Sequence, residues 1–292
     1  MKAKIKAKVK MKKVLVIGAS GFLGKRIVKK LSEKHEVKCF IMQEEEKQVF
    51  QNKEKLKFAV GNIMDKDSLI EASKGIEVVV HLATSAKQNL EFNLKGSENV
   101  IEACKKNKCR IIFISSMAAK RKSLDEYGKM KLKIEERVKS SGLKYIIFRP
   151  SLVYSEDYLD LIGTSLFAIP FIIPVIGNGE YKISPIFIED VAEAVNKAVE
   201  TKIKNREYDL TSKEKISFNE IISIGKEHFN LYKLVIHVPI VICLLGLKVF
   251  PLISQEAIKG INEDTNADTT GIVNELNIKP INFKEGIKNV DL

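Results

Sequence analysis

Between Lys13 and Phe148 the chain alternates short apolar runs with longer stretches that carry a helical stripe. Val14–Ile17 has no polar residue within it, the pattern of a strand buried on both faces. Ile27, Val28 and Leu31 then begin a stripe at helical spacing. The alternation recurs. Glu36–Met42, Leu56–Val60, Glu77–Ala83, Arg110–Ser115 and Lys144–Phe148 read as further strands. Lys66–Lys74, residues 89–107 and Tyr127–Ser140 read as helices, with Leu90, Leu94, Val100, Ile101 and Cys104 on the inner face of the 89–107 helix. Lys131–Glu135 and Glu135–Lys139 have the spacing of helix-surface charge pairs. Strands alternating with helices predict an α/β fold, a doubly wound parallel sheet with its ligand crevice at the carboxyl ends of the strands.

The pattern changes after Pro150. Residues 166–176 are apolar but broken by Pro170 and Pro174, and the Gly177-Asn178-Gly179 turn follows. Leu234–Ile253 is apolar too, yet His237, Pro239, Lys248 and Pro251 argue against a membrane span. Both stretches fit a lobe core or a surface facing a partner or a lipid. The predicted organisation is a basic tail over 1–12, a main domain over 13–155, and a smaller, mostly helical lobe over 156–292 interleaved with it.

Charge changes this picture little. The net charge is +12 in 292 residues, but seven of the lysines lie between Lys2 and Lys13. That tail reads as a solvated arm, or marks Met11 as the start, and no nucleic-acid partner is expected. The tail lacks the apolar centre of a secretory signal, which points to a cytoplasmic protein. Cys39, Cys104, Cys109 and Cys243 form no C-x-x-C pair and read as reduced thiols. The four histidines show no metal-ligand spacing, so no metal is expected.

The candidate chemistry starts at Gly18, Gly21 and Gly24, in the spacing G-x-x-G-x-x-G between the first strand and the first helix. A dinucleotide pyrophosphate sits against bare backbone N–H groups at a helix N-terminus, where the macrodipole favours negative charge. A Cβ at Gly18 or Gly21 would block the turn or the close approach, and Gly24 lets helix and strand pack. At the end of the second strand an acidic residue suits the ribose of NAD and an arginine the 2′-phosphate of NADP. Glu44 is placed for the ribose and no basic residue for a phosphate, so NAD is favoured; a solvated turn over Glu44–Glu46 is the competing reading.

Several stretches together resemble the extended and atypical short-chain dehydrogenase/reductases, the NAD-dependent epimerase/dehydratase group. They are the glycine turn, Gly61-Asn-Ile-Met-Asp65, His81-Leu-Ala83, Asn93-x-x-Gly96-Ser-x-Asn99, Ser115-Ser116, Tyr127-x-x-x-Lys131, Arg149-Pro-Ser-x-Val153 and Pro185-x-x-x-x-Asp190. The nearest likeness is to the atypical branch that includes the NAD(P)H-binding accessory subunit of respiratory complex I. The resemblance implies a Rossmann-type fold and a bound NAD or NADP. It implies cofactor contacts from Gly18, Ser20, Gly21, Phe22, Leu23 and Gly24. Asn62, Ile63, Asp65, Leu82 and Ala83 would lie on the adenosine side, with Asp65 at the adenine amino group. Ser115 would also contact the cofactor, and Pro150 and Val153 would border the nicotinamide. Tyr127 would be the catalytic acid/base, Lys131 would bind the nicotinamide ribose and lower the tyrosine pKa, and Ser116 would hold the substrate oxygen.

The residues agree with those roles. A free tyrosine, with a pKa of about 10, is a poor base, and a nearby ammonium favours the phenolate. Tyr127 and Lys131 are four apart and share a helix face. Two functions compete. One is an NAD(P)-dependent oxidoreductase or epimerase/dehydratase acting on a hydroxyl or carbonyl substrate such as a nucleotide sugar. The loop with Lys120, Arg121 and Lys122 would then suit a phosphorylated substrate. The other is a non-catalytic NAD(P)H-binding scaffold or redox sensor that meets a membrane or protein partner through 166–176 and 234–253.

Overall fold

The computed structural model describes residues 10–84, 88–122, 124–155, 170–242 and 267–290. The strands are β1 (Lys13–Ile17), β2 (Glu36–Ile41), β3 (Lys57–Val60), β4 (Val78–His81), β5 (Arg110–Ile114), β6 (Tyr145–Pro150), β7 (Val153–Tyr154), β8 (Ile172–Ile176), β9 (Lys182–Ile183), β10 (Ile186–Phe187), β11 (Arg206–Leu210), β12 (Ile216–Ser217) and β13 (Leu234–Val238). The helices are α1 (Phe22–Ser32), α2 (Lys66–Ala72), α3 (Leu90–Asn107), α4 (Glu126–Ser140), α5 (Ile188–Glu200), α6 (Phe218–His228), α7 (Thr270–Leu276) and α8 (Phe283–Gly286). Seven strands form one sheet in the order β11-β6-β5-β4-β1-β2-β3. β1 pairs in parallel with β2 and β4, β2 with β3, and β4 with β5. The reversal of strand order beside β1 is the doubly wound arrangement expected from the sequence.

Contacts group the chain into two compact units, and they draw the line differently from a cut at 155. The first holds Met1–Phe113, Arg137–Ile146 and Ala192–Arg206; the second holds Ile114–Glu136, Ile147–Val191 and Glu207–Leu292. The core of the first is the strand run itself. Val14, Val16, Val80, Ile111, Ile112 and Phe113 are shut off from solvent. Cys39, Cys104 and Cys109 are buried free thiols. Burial pushes Cys39 up to about 12 and Cys109 up to about 11, and raises Cys104 as well.

The second unit has its own core of Tyr154, Ile173, Val175, Tyr181, Phe218, Ile221 and Phe283. Tyr154 meets Phe283 edge-on at 4.9 Å between ring centroids. Two-stranded pairs β10–β7, β12–β9 and β13–β8 accompany the helices, so the C-terminal half mixes both element types. β13 turns Val235 toward this core and leaves Leu234 and Ile236 exposed, as are Phe171, whose carbonyl accepts the Leu234 N–H, and Tyr232. Residues 166–169 and 243–253 of the two apolar stretches lie outside the described residues. Among the described residues no helix is long and apolar enough to cross a membrane.

Lys12 belongs to the fold rather than to the tail. Its Nζ meets Glu77 Oε1 at 2.7 Å, and its carbonyl accepts the Glu36 N–H at 2.9 Å, in register with β1 and β2. Deleting residues 1–10 is therefore expected to leave the thermal midpoint unchanged, as read by circular dichroism. A clear drop would show that the lysine arm is built into the structure.

Candidate functional site

The first unit carries the glycine turn. Gly18 has φ +86°, and a Cβ there would come within 2.9 Å of the Ala83 nitrogen, so this turn requires glycine. Leu82 N–H donates to the Ile17 carbonyl at 2.9 Å, which seats the Leu82-Ala83 stretch against the turn. A Cβ at Gly24 would lie 2.1 Å from the Gly18 carbonyl oxygen, so α1 packs on the turn only because residue 24 has no side chain. Gly21 differs. Its Cβ would meet only the Gly18 oxygen, at 3.4 Å, an ordinary contact. The protein itself does not need glycine at 21, whereas a ligand lying on the backbone does. Gly21 is also the N-cap of α1 and supplies no side-chain cap. Ser20, Phe22 and Leu23 complete the turn and the first helical residues.

The next stretch, residues 61–65, is held by backbone-directed bonds. Asn62 Oδ1 accepts from the Met64 N–H at 2.9 Å. Asn99 Nδ2 donates to the Ile63 and Met64 carbonyls, at 3.1 Å each. Ile63 packs over Gly96, where a Cβ would fall 3.1 Å from it. Asp65 is the N-cap of α2: its carboxylate accepts from Asp67 and Ser68 N–H groups at 3.0 and 3.3 Å. The structure thus gives Asp65 a capping task besides the adenine contact that the resemblance implies.

Glu44 pairs outward with Lys47. Glu46 instead accepts the Met42 and Gln43 N–H groups at 3.1 and 3.2 Å and the Ser20 hydroxyl. It is the carboxylate that reaches the glycine turn. Three consecutive glutamates hide this in the sequence. The capping box of the short helix over Glu44–Val49 selects the third of them.

The second unit carries Ser116, Tyr127 and Lys131. Ser116 leaves β5 and accepts the Ala118 N–H at 3.1 Å, capping a short turn over Met117–Lys120. Lys131 is buried; its Nζ donates to the Ile114 carbonyl at 2.9 Å and lies 5.5 Å from the Tyr127 ring centroid. Burial pulls its pKa down to about 7, and the Glu135 charge opposes that fall. Ser115 donates its hydroxyl to Glu135 at 2.5 Å and its N–H to Phe148 at 2.7 Å. Pro150 is buried at the end of β6, and Val153 is half-buried in β7.

Glu135 is a correction to the sequence. It is not a surface partner for Lys139 but is wholly buried, accepting Arg149 Nε at 2.9 Å and Nη2 at 2.5 Å. Arg149 also meets Glu207, and its Nη1 lies 3.7 Å from Asp209. Asp209 in turn holds Lys120 at 2.6 Å, so one cation of the 120–122 loop is committed internally. Arg149→Met, which leaves Glu135 buried and unpaired, is expected to cost about 3–5 kcal/mol in a urea melt.

The comparisons with known proteins follow this geometry. A family model described as NAD(P)H-binding matches residues 18–164, half of the chain. The chain belongs to the NAD(P)H-binding family. It is 33% identical over 142 residues to the Photosystem II assembly factor Ycf39 of Cyanophora paradoxa, covering 47% of this chain and 44% of that one. It is 27% identical over 185 residues to a ceramide reductase of Caulobacter vibrioides, covering 61% and 58%. The chain thus spans about half the length of these two relatives. A 4-epimerase of N-acetyl-alpha-D-glucosaminyl-diphospho-ditrans,octacis-undecaprenol from Escherichia coli O157:H7 is 23% identical over 278 residues, covering 83% and 80%. Among solved structures, a UDP-glucose 4-epimerase of Thermotoga maritima superposes with TM-score 0.77 at 20% identity, covering 95% and 97%. The Citrobacter sp. triphenylmethane reductase complexed with NADP(H) does so with TM-score 0.75 at 17% identity, covering 96% and 100%. The likeness to extended and atypical short-chain dehydrogenase/reductases, the Rossmann-type fold and an NAD(P) cofactor are borne out.

Proposed function

We propose that the chain is an NAD(H)-dependent oxidoreductase or epimerase in which Tyr127 moves the proton. The observation that carries this is the buried Lys131 ammonium poised over the Tyr127 ring, one turn along α4. It favours the phenolate and lets Tyr127 accept a hydroxyl proton from substrate. Ser116 orients the substrate oxygen, and Lys131 holds the ribose hydroxyls. When bound, the nicotinamide supplies a hydride acceptor or donor. The glycine turn fits that group, because Gly21 keeps bare backbone at an α1 N-terminus with no side-chain cap.

Glu46 supports NAD over NADP. A carboxylate joined to Ser20 accepts a ribose hydroxyl and repels a 2′-phosphate. NADH is expected to bind at least about tenfold more tightly than NADPH, a difference of about 1.4 kcal/mol. Glu46→Arg is expected to invert that order. Calorimetry with both nucleotides checks it, and equal affinities for the wild type would remove Glu46 from this role.

The decisive test of activity is turnover, followed by nicotinamide absorbance. The panel takes in nucleotide sugars, simple alcohols and ketones, and lipid-linked substrates, since the names of two relatives specify ceramide and an undecaprenol-linked sugar. A second reading, a cofactor-binding scaffold, draws on the exposed Phe171, Tyr232, Leu234 and Ile236 and on the assembly-factor relative. NADH binding with no turnover across the panel would favour it.

A further inference from the structure

We infer that Glu135 is a positioning residue for proton transfer: by gripping Ser115 and Arg149 it fixes the turn that carries Ser116 and presents Lys131 to Tyr127 as a cation. The inference rests on the role given to Tyr127 and Lys131 under the proposed function. It begins from a cost. A carboxylate with no exposure is unfavourable unless its oxygens are paired. Glu135 meets that cost with three donors, Ser115 Oγ and the Nε and Nη2 of Arg149. A well-packed apolar trio would fold as well, so the placement of the charge is what calls for an explanation.

That placement is specific. Tyr127, Lys131 and Glu135 are spaced by four along α4 and lie along one face. Lys131 grips the carbonyl of Ile114, and Glu135 grips the hydroxyl of Ser115. Successive residues at the end of β5 are therefore tied to successive turns of α4, and Ser116 is the next residue along. The far end of its turn is tied by the same network. Arg149 lies between Glu135 and the carboxylates of Glu207 and Asp209, and Asp209 holds Lys120, the last residue of the Met117–Lys120 turn. The Ser116 turn is thus pinned at both ends through one chain of charges.

Among the described residues, these charged groups surround Lys131. On α4 they are Glu135 and, when ionised, Tyr127; β5 offers only the Ile114 carbonyl and the Ser115 hydroxyl. Arg149 on β6 is offset by Glu207 and Asp209 on β11. The Glu135 charge acts to keep Lys131 protonated against burial.

The test is an NADH fluorescence titration of the full chain between pH 5 and 9, for wild type, Lys131→Met, Glu135→Gln and Glu135→Asp. Wild-type affinity should fall as pH rises through the Lys131 titration, and Lys131→Met should show no such step. Glu135→Gln keeps the shape and removes the charge, so its step should fall at least about one pH unit lower. Glu135→Asp restores the charge and should return the step toward the wild-type position. If Glu135→Gln fails to fold, Glu135→Gln/Arg149→Met removes both buried charges and should show the same downward displacement. A purely structural Glu135 would lower thermal stability and leave the step in place in whichever variant folds, which overturns the inference. A wild-type step absent or unchanged in Lys131→Met would overturn the role given to Lys131, a different result from an unmoved step in Glu135→Gln.

Discussion

Tyr127→Phe is expected to lower turnover by about 10²–10⁴, the range for loss of a positioned acid/base, and to leave NADH affinity within twofold or so. The substitution removes one oxygen and keeps the ring over which Lys131 lies. On the proposed reading the ribose contact would be made by Lys131, so binding should survive. Lys131→Ala should damage both binding and turnover if, as proposed, the ammonium serves ribose and phenol together. Ser116→Ala should lower turnover more than binding. Its hydroxyl also caps the Met117–Lys120 turn, so a modest loss of stability should accompany the effect. Wild-type rates in Tyr127→Phe, on any substrate the protein accepts, would remove Tyr127 from the proposed mechanism.

Gly21→Val is expected to abolish dinucleotide binding in a protein that folds normally. The two glycines three residues apart make the contrast. A side chain at 21 meets one backbone oxygen at an ordinary distance, whereas one at 24 would overlap the Gly18 carbonyl at 2.1 Å. Gly24→Val should therefore lose thermal stability outright, since backbone must move, while Gly21→Val should lose only the modest amount, about 1 kcal/mol, of a poorer N-cap residue and show no heat with NADH in calorimetry. Equal binding by wild type and Gly21→Val would show that the nucleotide does not lie against this turn.

The strands that were plain in the sequence are those buried on both faces. Val14–Ile17, Val78–Val80 and Ile111–Ile114 are apolar without interruption because parallel neighbours and helices cover them. β11 escaped for the opposite reason. Glu207 and Asp209 interrupt its apolar pattern, and their reason for being there is Arg149, about sixty residues earlier in the chain. Glu135 was hidden because its partners, Ser115 and Arg149, lie on other elements, while its spacing from Lys131 and Lys139 imitates a surface pair. Glu46 was hidden more locally: only the phase of a short helix tells it from Glu44. The glycine turn and the Tyr127–Lys131 pair were legible because each depends on neighbours within one strand–turn–helix or one helical turn.

The buried thiols offer a clock for opening of the molecule. Thiolate is the reactive form, and Cys39, Cys104 and Cys109 are held away from solvent with their ionisation pushed upward. Cys39 sits in β2 and Cys104 in α3, with Cys109 just before β5. A thiol reagent at neutral pH reaches them only through excursions that part these elements. With Cys243 replaced by serine, the alkylation rate of the remaining three counts those excursions. Its slowing on addition of NADH would measure how far the nucleotide closes the first unit against them.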